Sequence, residues 1–148
     1  MRKILFLDID GVVNHTDTFK KGELFPLDQY CAFLVGKIQL DTGCEVVLSS
    51  SWRHHPESVA EVSKRVVPLI GTTGSCNCRI RGAEIHRWLQ ENVKGFNSTY
   101  EGDYRIAILD DDSDMLLWQQ PHFFQTSFTA GGLTKEIAEK VIEHLNRA

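Results

Sequence analysis

The feature that most constrains this chain is a series of short apolar runs, each of which ends in a cluster of polar residues. The runs cover residues 3–8, 45–48 and 105–109 and show no alternation of apolar and polar side chains. A strand of this composition is buried on both faces, which is typical of a parallel sheet. Segments with helical spacing separate the runs. The sequence therefore predicts an α/β fold, a Rossmann-like doubly wound parallel sheet with helices on both faces.

The segments between these runs supply the remaining elements. Apolar residues spaced by three and four positions lead up to Gly43, which is placed to end a helix, and Pro56 is placed to begin one. Residues 11–26 are polar and contain two glycines, so we expect an extended loop or small flap there. Helices are predicted over 27–42, 56–66, 83–93 and 133–145, and further short strands over 67–70 and 123–126.

Length and charge limit the class of protein. A chain of 148 residues with 42% hydrophobic residues is the size of one globular domain, which we assign to residues 1–148. The net charge of −4 excludes a broad basic surface for duplex DNA. No apolar run approaches the roughly 20 residues of a membrane span, and no signal peptide is recognised, so a cytoplasmic protein is expected.

The cysteines and one short motif are interpreted in that light. Four cysteines in a chain without a secretion signal are expected to be reduced thiols, with Cys31 and Cys44 in the core. The sequence Asn97-Ser98-Thr99 matches a glycosylation sequon, which matters only in a secreted protein, and we interpret it as accidental.

The polar clusters predict where the chemistry lies. In an open parallel sheet, ligands bind outside the carboxyl ends of the strands. The residues that follow the three clearest strands are Asp8 with Asp10, residues 49–53 and residues 110–114. Carboxylates from two strand ends would repel one another unless a cation lay between them. Because all of these ligands are oxygens, the arrangement favours Mg²⁺.

These residues also carry a family resemblance. The sequence Asp8-Ile9-Asp10-Gly11-Val12 after an apolar strand resembles the first motif of the haloacid dehalogenase (HAD) superfamily of aspartyl-nucleophile phosphatases. An apolar strand that ends in Ser49 resembles the second motif, and the run through Asp110 and Asp111 resembles the fourth. More narrowly, the chain resembles the HAD domains attached to RNA-repair proteins and the phosphatase half of phage polynucleotide kinase-phosphatase. The residues that carry this narrower resemblance are residues 49–53, 81–85, 109–114 and 132–134.

The resemblance implies a role for each acidic residue. Asp8 would be the nucleophile, and Asp10 would protonate the leaving alcohol and then deprotonate the attacking water. The metal would be held by the Asp8 side chain, the backbone carbonyl of Asp10, and the carboxylate of Asp110 or Asp111. Gly11 would allow the sharp turn beside the substrate. Asp112 and Asp114 are expected either to cap the helix that follows or to act directly.

The remaining site residues bind phosphate in the family. Ser49 or Ser50 would donate hydrogen bonds to the phosphoryl oxygens, and Arg53 would contact the substrate phosphate. The third motif of the family usually contributes a Lys, whereas this chain offers Arg81 at the matching place, with Arg79 as a second candidate. Arg binds phosphate through a planar fork, so it does not simply replace a Lys.

The substrate is expected to be large. Too few residues separate Asp10 from Ser49 for a cap domain, so we predict a capless core with a small flap at residues 14–26. An open site and the resemblance favour a terminal 3′ phosphate of a nucleic acid or a nucleotide as substrate. The alternatives are a phosphatase of a small metabolite, a receiver-like domain that accepts phosphate without turnover, and a non-catalytic binding module. Asp10 separates the enzyme from the receiver, which needs no acid at that position.

Overall fold

A computed structural model describes residues 1–97 and 103–148. The sequon at 97–99 lies largely outside this described part. The strands are β1 (Arg2–Leu7), β2 (Glu45–Leu48), β3 (Gly71–Thr72), β4 (Tyr104–Asp110) and β5 (Phe123–Gln125). The α-helices are α1 (Thr16–Phe19), α2 (Gln29–Thr42), α3 (Pro56–Arg65), α4 (Arg81–Asn92) and α5 (Lys135–Asn146). Turns of 3₁₀ helix cover Ser51–His54, Leu117–His122 and Phe128–Ala130.

The strands form one parallel sheet in the order β3-β2-β1-β4-β5. The central strand β1 pairs with β2 and β4, and its last residue Leu7 lies opposite Leu48 on one side and Leu109 on the other. The carboxyl ends of these three strands therefore meet at one edge. The predicted doubly wound α/β architecture is confirmed.

Each face of the sheet is covered by helices because the strands are apolar on both faces. Leu5 and Leu7 contribute to a cluster that includes residues of α2 and α5, whereas Ile4 and Phe6 point to the other side and pack with Trp88 of α4. The ring of Phe6 meets that indole edge-on at 5.5 Å between centroids. Trp88 is therefore a core residue.

The edge strand β3 corrects a prediction. We expected a strand over residues 67–70, but the paired residues are Gly71 and Thr72. Val67 instead enters the core with the end of α3, and Ile70 only begins the pairing by donating its N–H to Val46 O. Apolar residues of segment 67–70 pack against the core and do not pair as a strand. A two-residue edge strand leaves little pattern in the sequence.

The flap between β1 and α2 is short. Its only helix within the described residues is the single turn α1. Asp28 ends the flap as the N-cap of α2, accepting the N–H of Cys31, and Gly43 ends α2 with φ of 69° in the left-handed region.

The cysteines divide into two pairs. Cys31 and Cys44 are buried thiols, as expected. Cys76 and Cys78 are joined in a disulfide, which contradicts our expectation that all four would be reduced. The turn between them brings their Cα atoms to 5.4 Å, within the range that a disulfide spans. No helix in the described residues has the length and apolar character needed to cross a membrane.

Candidate active site

Asp8 lies at the centre of the carboxyl edge. It follows β1 directly, donates its backbone N–H to Leu109 O, and is only 6% exposed. The chain then turns through Gly11, whose φ of 85° is disfavoured for other residues. A Cβ at this glycine would overlap the Asp111 carboxylate, so two strand ends approach one another closely here.

Three carboxylates meet at this point. Asp8, Asp110 and Asp111 each place an oxygen within 4.8 Å of the others. Burial, reinforced by the nearby Asp110 carboxylate, raises the pKa of Asp8 well above its usual value. Burial likewise raises the pKa of Asp110 to about 6, although a hydrogen bond from the Asp112 N–H opposes this. A bound cation would remove the repulsion, and an all-oxygen set of carboxylates fits Mg²⁺.

A half-buried arginine pair faces the carboxylates. Arg81 places Nη1 at 3.8 Å from Asp8 Oδ1 and Nε at 3.5 Å from Glu84 Oε1. Arg53 donates Nη2 to Glu84 Oε2 at 2.9 Å and Nη1 to the Ser50 carbonyl at 3.1 Å. Glu84 thus ties both guanidinium groups together. Arg53 Nε and Arg81 Nη1 have no hydrogen-bond partner among the described residues.

The two candidate serines differ in their surroundings. Ser50 Oγ accepts the N–H of Trp52 and so caps the following 3₁₀ turn. Ser49 is held at the end of β2 by a hydrogen bond from its N–H to Leu7 O. Its hydroxyl is buried and no described residue bonds to it. Ser49 Oγ therefore joins the two arginine nitrogens as a buried polar group available to an anion.

Asp10 has its own set of partners on the opposite side of the turn. Its Oδ1 accepts hydrogen bonds from Asn14 Nδ2 at 2.9 Å and from Trp52 Nε1 at 3.0 Å. Asn14 is fully buried and also binds Gly11 N and Pro26 O. Sequence reasoning missed Asn14 and this contact of Trp52. The only local sequence signal for Asn14 is an amide side chain four positions beyond the second aspartate.

Two cavities adjoin this edge. The first, which we call the arginine cavity, has a volume of about 390 Å³ and is lined by Arg53, Arg79, Arg81 and Asp110 among others. The second, which we call the flap cavity, has a volume of about 620 Å³ and contains Asp10 in its wall. Arg79 itself is exposed, with a φ of 57°, and lies farther out than Arg81.

The remaining acidic residues have structural contacts. Asp114 was expected either to cap the helix that follows it or to act directly, and its side chain instead binds the start of the earlier helix α4. Its Oδ2 accepts the Arg81 N–H, and its carbonyl accepts the Gly82 N–H. Asp112 accepts the Ser113 N–H at the exposed rim. Sequence reasoning also missed Glu84, which looks like an ordinary helix residue until its two arginines are seen beside it.

Comparison with known proteins identifies the family of this chain. A family model described as the HAD domain in Swiss Army Knife RNA repair proteins matches residues 4–138. Neither the curated proteins nor the solved structures yielded a match. The matched span contains every site residue named above.

Proposed function

This chain belongs to the family of HAD domains in Swiss Army Knife RNA repair proteins and is a HAD phosphatase, and we propose that it removes a terminal 3′ phosphate from nucleic acid ends or nucleotides with the help of Mg²⁺. The family supports phosphoric monoester hydrolysis and relates the chain to nucleic acid repair. The metal, the residue roles and the substrate are the proposal.

One observation carries the proposal: the position of Asp8. Its carboxylate lies against Arg81 on one side and within 4.8 Å of the Asp110 and Asp111 carboxylates on the other. A phosphate beside Asp8 would meet positive charge and hydrogen-bond donors, while its negative charge would be offset by a cation on the carboxylate side. An aspartate with only a structural role would not need both an arginine and two further carboxylates beside it.

The reaction divides into two steps. In the first, an Asp8 carboxylate oxygen attacks phosphorus, the bond from phosphorus to the leaving oxygen breaks, and Asp10 gives that oxygen a proton. In the second, Asp10 takes a proton from water as the water oxygen attacks phosphorus, which frees Asp8 and releases inorganic phosphate. Ser49 Oγ, Arg53 and Arg81 bind the phosphoryl oxygens throughout, as the unpartnered polar atoms favour.

The metal site uses the same strand ends. The side chains of Asp8 and of Asp110 or Asp111, with the backbone carbonyl of Asp10, are the proposed ligands. Bound Mg²⁺ would offset the charge of the phosphoryl oxygens and lessen their repulsion of the nucleophile. Burial first, and the nearby Asp110 carboxylate second, raise the pKa of Asp8, and three carboxylate oxygens within 4.8 Å of one another suit a cation.

The proposal is tested by phosphate release. Wild type and Asp8→Asn are compared on one oligonucleotide that carries either a 3′ or a 5′ phosphate, with Mg²⁺ or with EDTA. Asp8- and metal-dependent release that favours the 3′ end supports the proposal. The small ester p-nitrophenyl phosphate is tested beside the oligonucleotides. Release from this ester but from neither oligonucleotide would assign the enzyme to small metabolites, and no release from any substrate would favour a binding module.

A further inference from the structure

The flap cavity is the feature that the chemistry above leaves unexplained. It lies between the flap and the 3₁₀ turn after β2, and its wall includes Asp10, Leu24, Phe25, Trp52, His54 and His55. The arginine cavity, by contrast, is lined by the arginine side chains of the site. His54 lines both cavities, so the two adjoin one another.

The position of Asp10 decides what each cavity can bind. In the proposed reaction, Asp10 protonates the leaving oxygen, so the leaving group must lie on the Asp10 side of the phosphate. Asp10 lines the flap cavity and is absent from the lining of the arginine cavity. The arginine cavity therefore suits the phosphoryl group, and the flap cavity suits the alcohol that is released.

The flap cavity combines the aromatic rings of Phe25 and Trp52 with polar side chains that include Ser51, Glu57 and Ser58. The rings of Phe25 and Trp52 lie 6.3 Å apart between centroids, at an angle of 54°. Trp52 is held in one orientation because its Nε1 bonds to Asp10. Leu24 is 85% exposed in the wall of the same cavity, so its apolar side chain is accessible to a ligand bound there.

These side chains match a nucleobase better than a polar metabolite. An exposed aromatic face binds any base by stacking, and such contacts tolerate all four sequences. The exposed imidazoles of His54 and His55 at the same cavity can donate hydrogen bonds to a neighbouring phosphodiester. A sugar or polyol could bond to Ser51, Glu57 or Ser58, but it would leave the apolar side chains of Leu24 and Phe25 without a matching group.

We propose that the flap cavity binds the terminal nucleoside of the substrate, with its base stacked on Phe25, packed against the tilted ring of Trp52 and covered by Leu24. This inference rests on the proposed phosphatase reaction and specifies its leaving group. The flap thus recognises the presence of a base at the phosphorylated end without reading which base it is.

The experiment compares two oligonucleotides of the same sequence with a 3′ phosphate, one with an intact terminal nucleotide and one with an abasic terminal sugar. For wild type, kcat/KM should be higher for the intact end, and Phe25→Ala should lower this preference about tenfold, the usual scale of one stacking contact. Phe25→Leu keeps an apolar side chain on the flap but removes the planar ring, so it should also lower the preference. Phe33→Ala, which truncates an aromatic residue of α2 that is 63% exposed and outside the cavity, is the matched control.

Two outcomes would overturn the inference: equal turnover of both ends by wild type, or an unchanged preference in both Phe25 variants. If wild type hydrolyses neither end, the proposed function fails. Binding of the two oligonucleotides to Asp8→Asn, measured by fluorescence anisotropy, then tests the nucleoside site independently of turnover. Tighter binding of the intact end that is lost in the double variant with Phe25→Leu supports the cavity as a nucleoside site; equal binding rejects it.

Discussion

Trp52 Nε1 donates to Asp10 Oδ1 at 3.0 Å, and the Asn14 amide bonds the same oxygen at 2.9 Å. Two donors on one carboxylate oxygen leave Oδ2 as the oxygen available to the leaving group. Asn14→Ala should lower kcat about tenfold or more with little change in KM, because a hydrogen bond that orients a charged group is worth roughly 1.5–3 kcal/mol. Asn77→Ala, in an exposed loop, is the control. A change confined to KM would contradict this role.

Replacement of Asp10 separates turnover from phosphate acceptance. Asp10→Asn keeps the size of the side chain but cannot transfer the proton, so steady-state phosphate release should fall roughly 100-fold or more. Formation of a phosphorylated protein from an activated donor such as acetyl phosphate should persist. Normal turnover in Asp10→Asn would mean that the leaving oxygen receives its proton elsewhere.

Gly11 should tolerate no side chain. In Gly11→Ala the new Cβ would overlap the Asp111 carboxylate and the backbone would remain at positive φ. We expect a loss of about 2–4 kcal/mol in unfolding free energy together with loss of activity. Gly22→Ala has a similar φ of 67° but open space around it, so it should cost only about 1 kcal/mol. If urea unfolding shows equal losses of unfolding free energy in the two variants, the close approach of Gly11 to Asp111 does not cause the loss.

Glu84 joins the two phosphate-binding arginines. Glu84→Gln removes the carboxylate that the two guanidinium groups share, so stability should fall by about 2–4 kcal/mol and kcat/KM by about tenfold or more. Because an anion can replace the missing charge, inorganic phosphate should raise the Tm of this variant more than that of wild type. Glu91→Gln breaks an exposed pair with Arg87 on the same helix and should cost at most about 0.5 kcal/mol. The prediction fails if the two variants behave alike.

A histidine pair outside the site described above contributes to the loss of stability in acid. His122 Nδ1 lies 3.1 Å from His144 Nε2, and burial, helped by His144 and Arg105, lowers the pKa of His122 to about 4. Burial also lowers the pKa of His144. Since the unfolded chain takes up protons first, stability present above pH 6.5 is lost as the pH falls toward 4.

Urea unfolding from pH 7.5 to 4.5 measures this loss. We expect roughly 1–2 kcal/mol from the pair after allowing for partial solvent screening. His122→Gln should flatten the pH dependence, whereas His54→Gln, in an exposed turn, should leave it unchanged. If His122→Gln loses as much unfolding free energy in acid as wild type does, other groups cause the loss.

The central elements could be predicted from sequence because burial on both faces leaves a clear pattern. The strand expected at residues 3–8 is found at Arg2–Leu7, and that at 45–48 is found at Glu45–Leu48. At the sheet edge the signal weakens, since β3 makes only two ladder pairs and its apolar neighbours serve the core. The disulfide of Cys76 and Cys78 was also missed, because it depends on the local path of an irregular loop.

The candidate site shows the same division. Residues at strand ends, such as Asp8 and Ser49, could be placed because the carboxyl ends of parallel strands converge. Glu84 could not, since its contact with Arg53 spans 31 positions and depends on how α4 packs. The structure also distinguishes Ser49 from Ser50 by their hydrogen bonds, where the sequence offered three serines in a row. Their roles in binding phosphate remain predictions.

The most direct measurement is an acid quench of the enzyme during turnover of a 3′-phosphorylated oligonucleotide, followed by mass spectrometry of its peptides. We expect that the peptide containing Asp8 gains the mass of one phosphoryl group, that the group is lost on treatment with hydroxylamine, and that Asp8→Asn gains none. Phosphate release at the normal rate by Asp8→Asn, or a phosphoryl group found on another residue during turnover, would contradict the central claim.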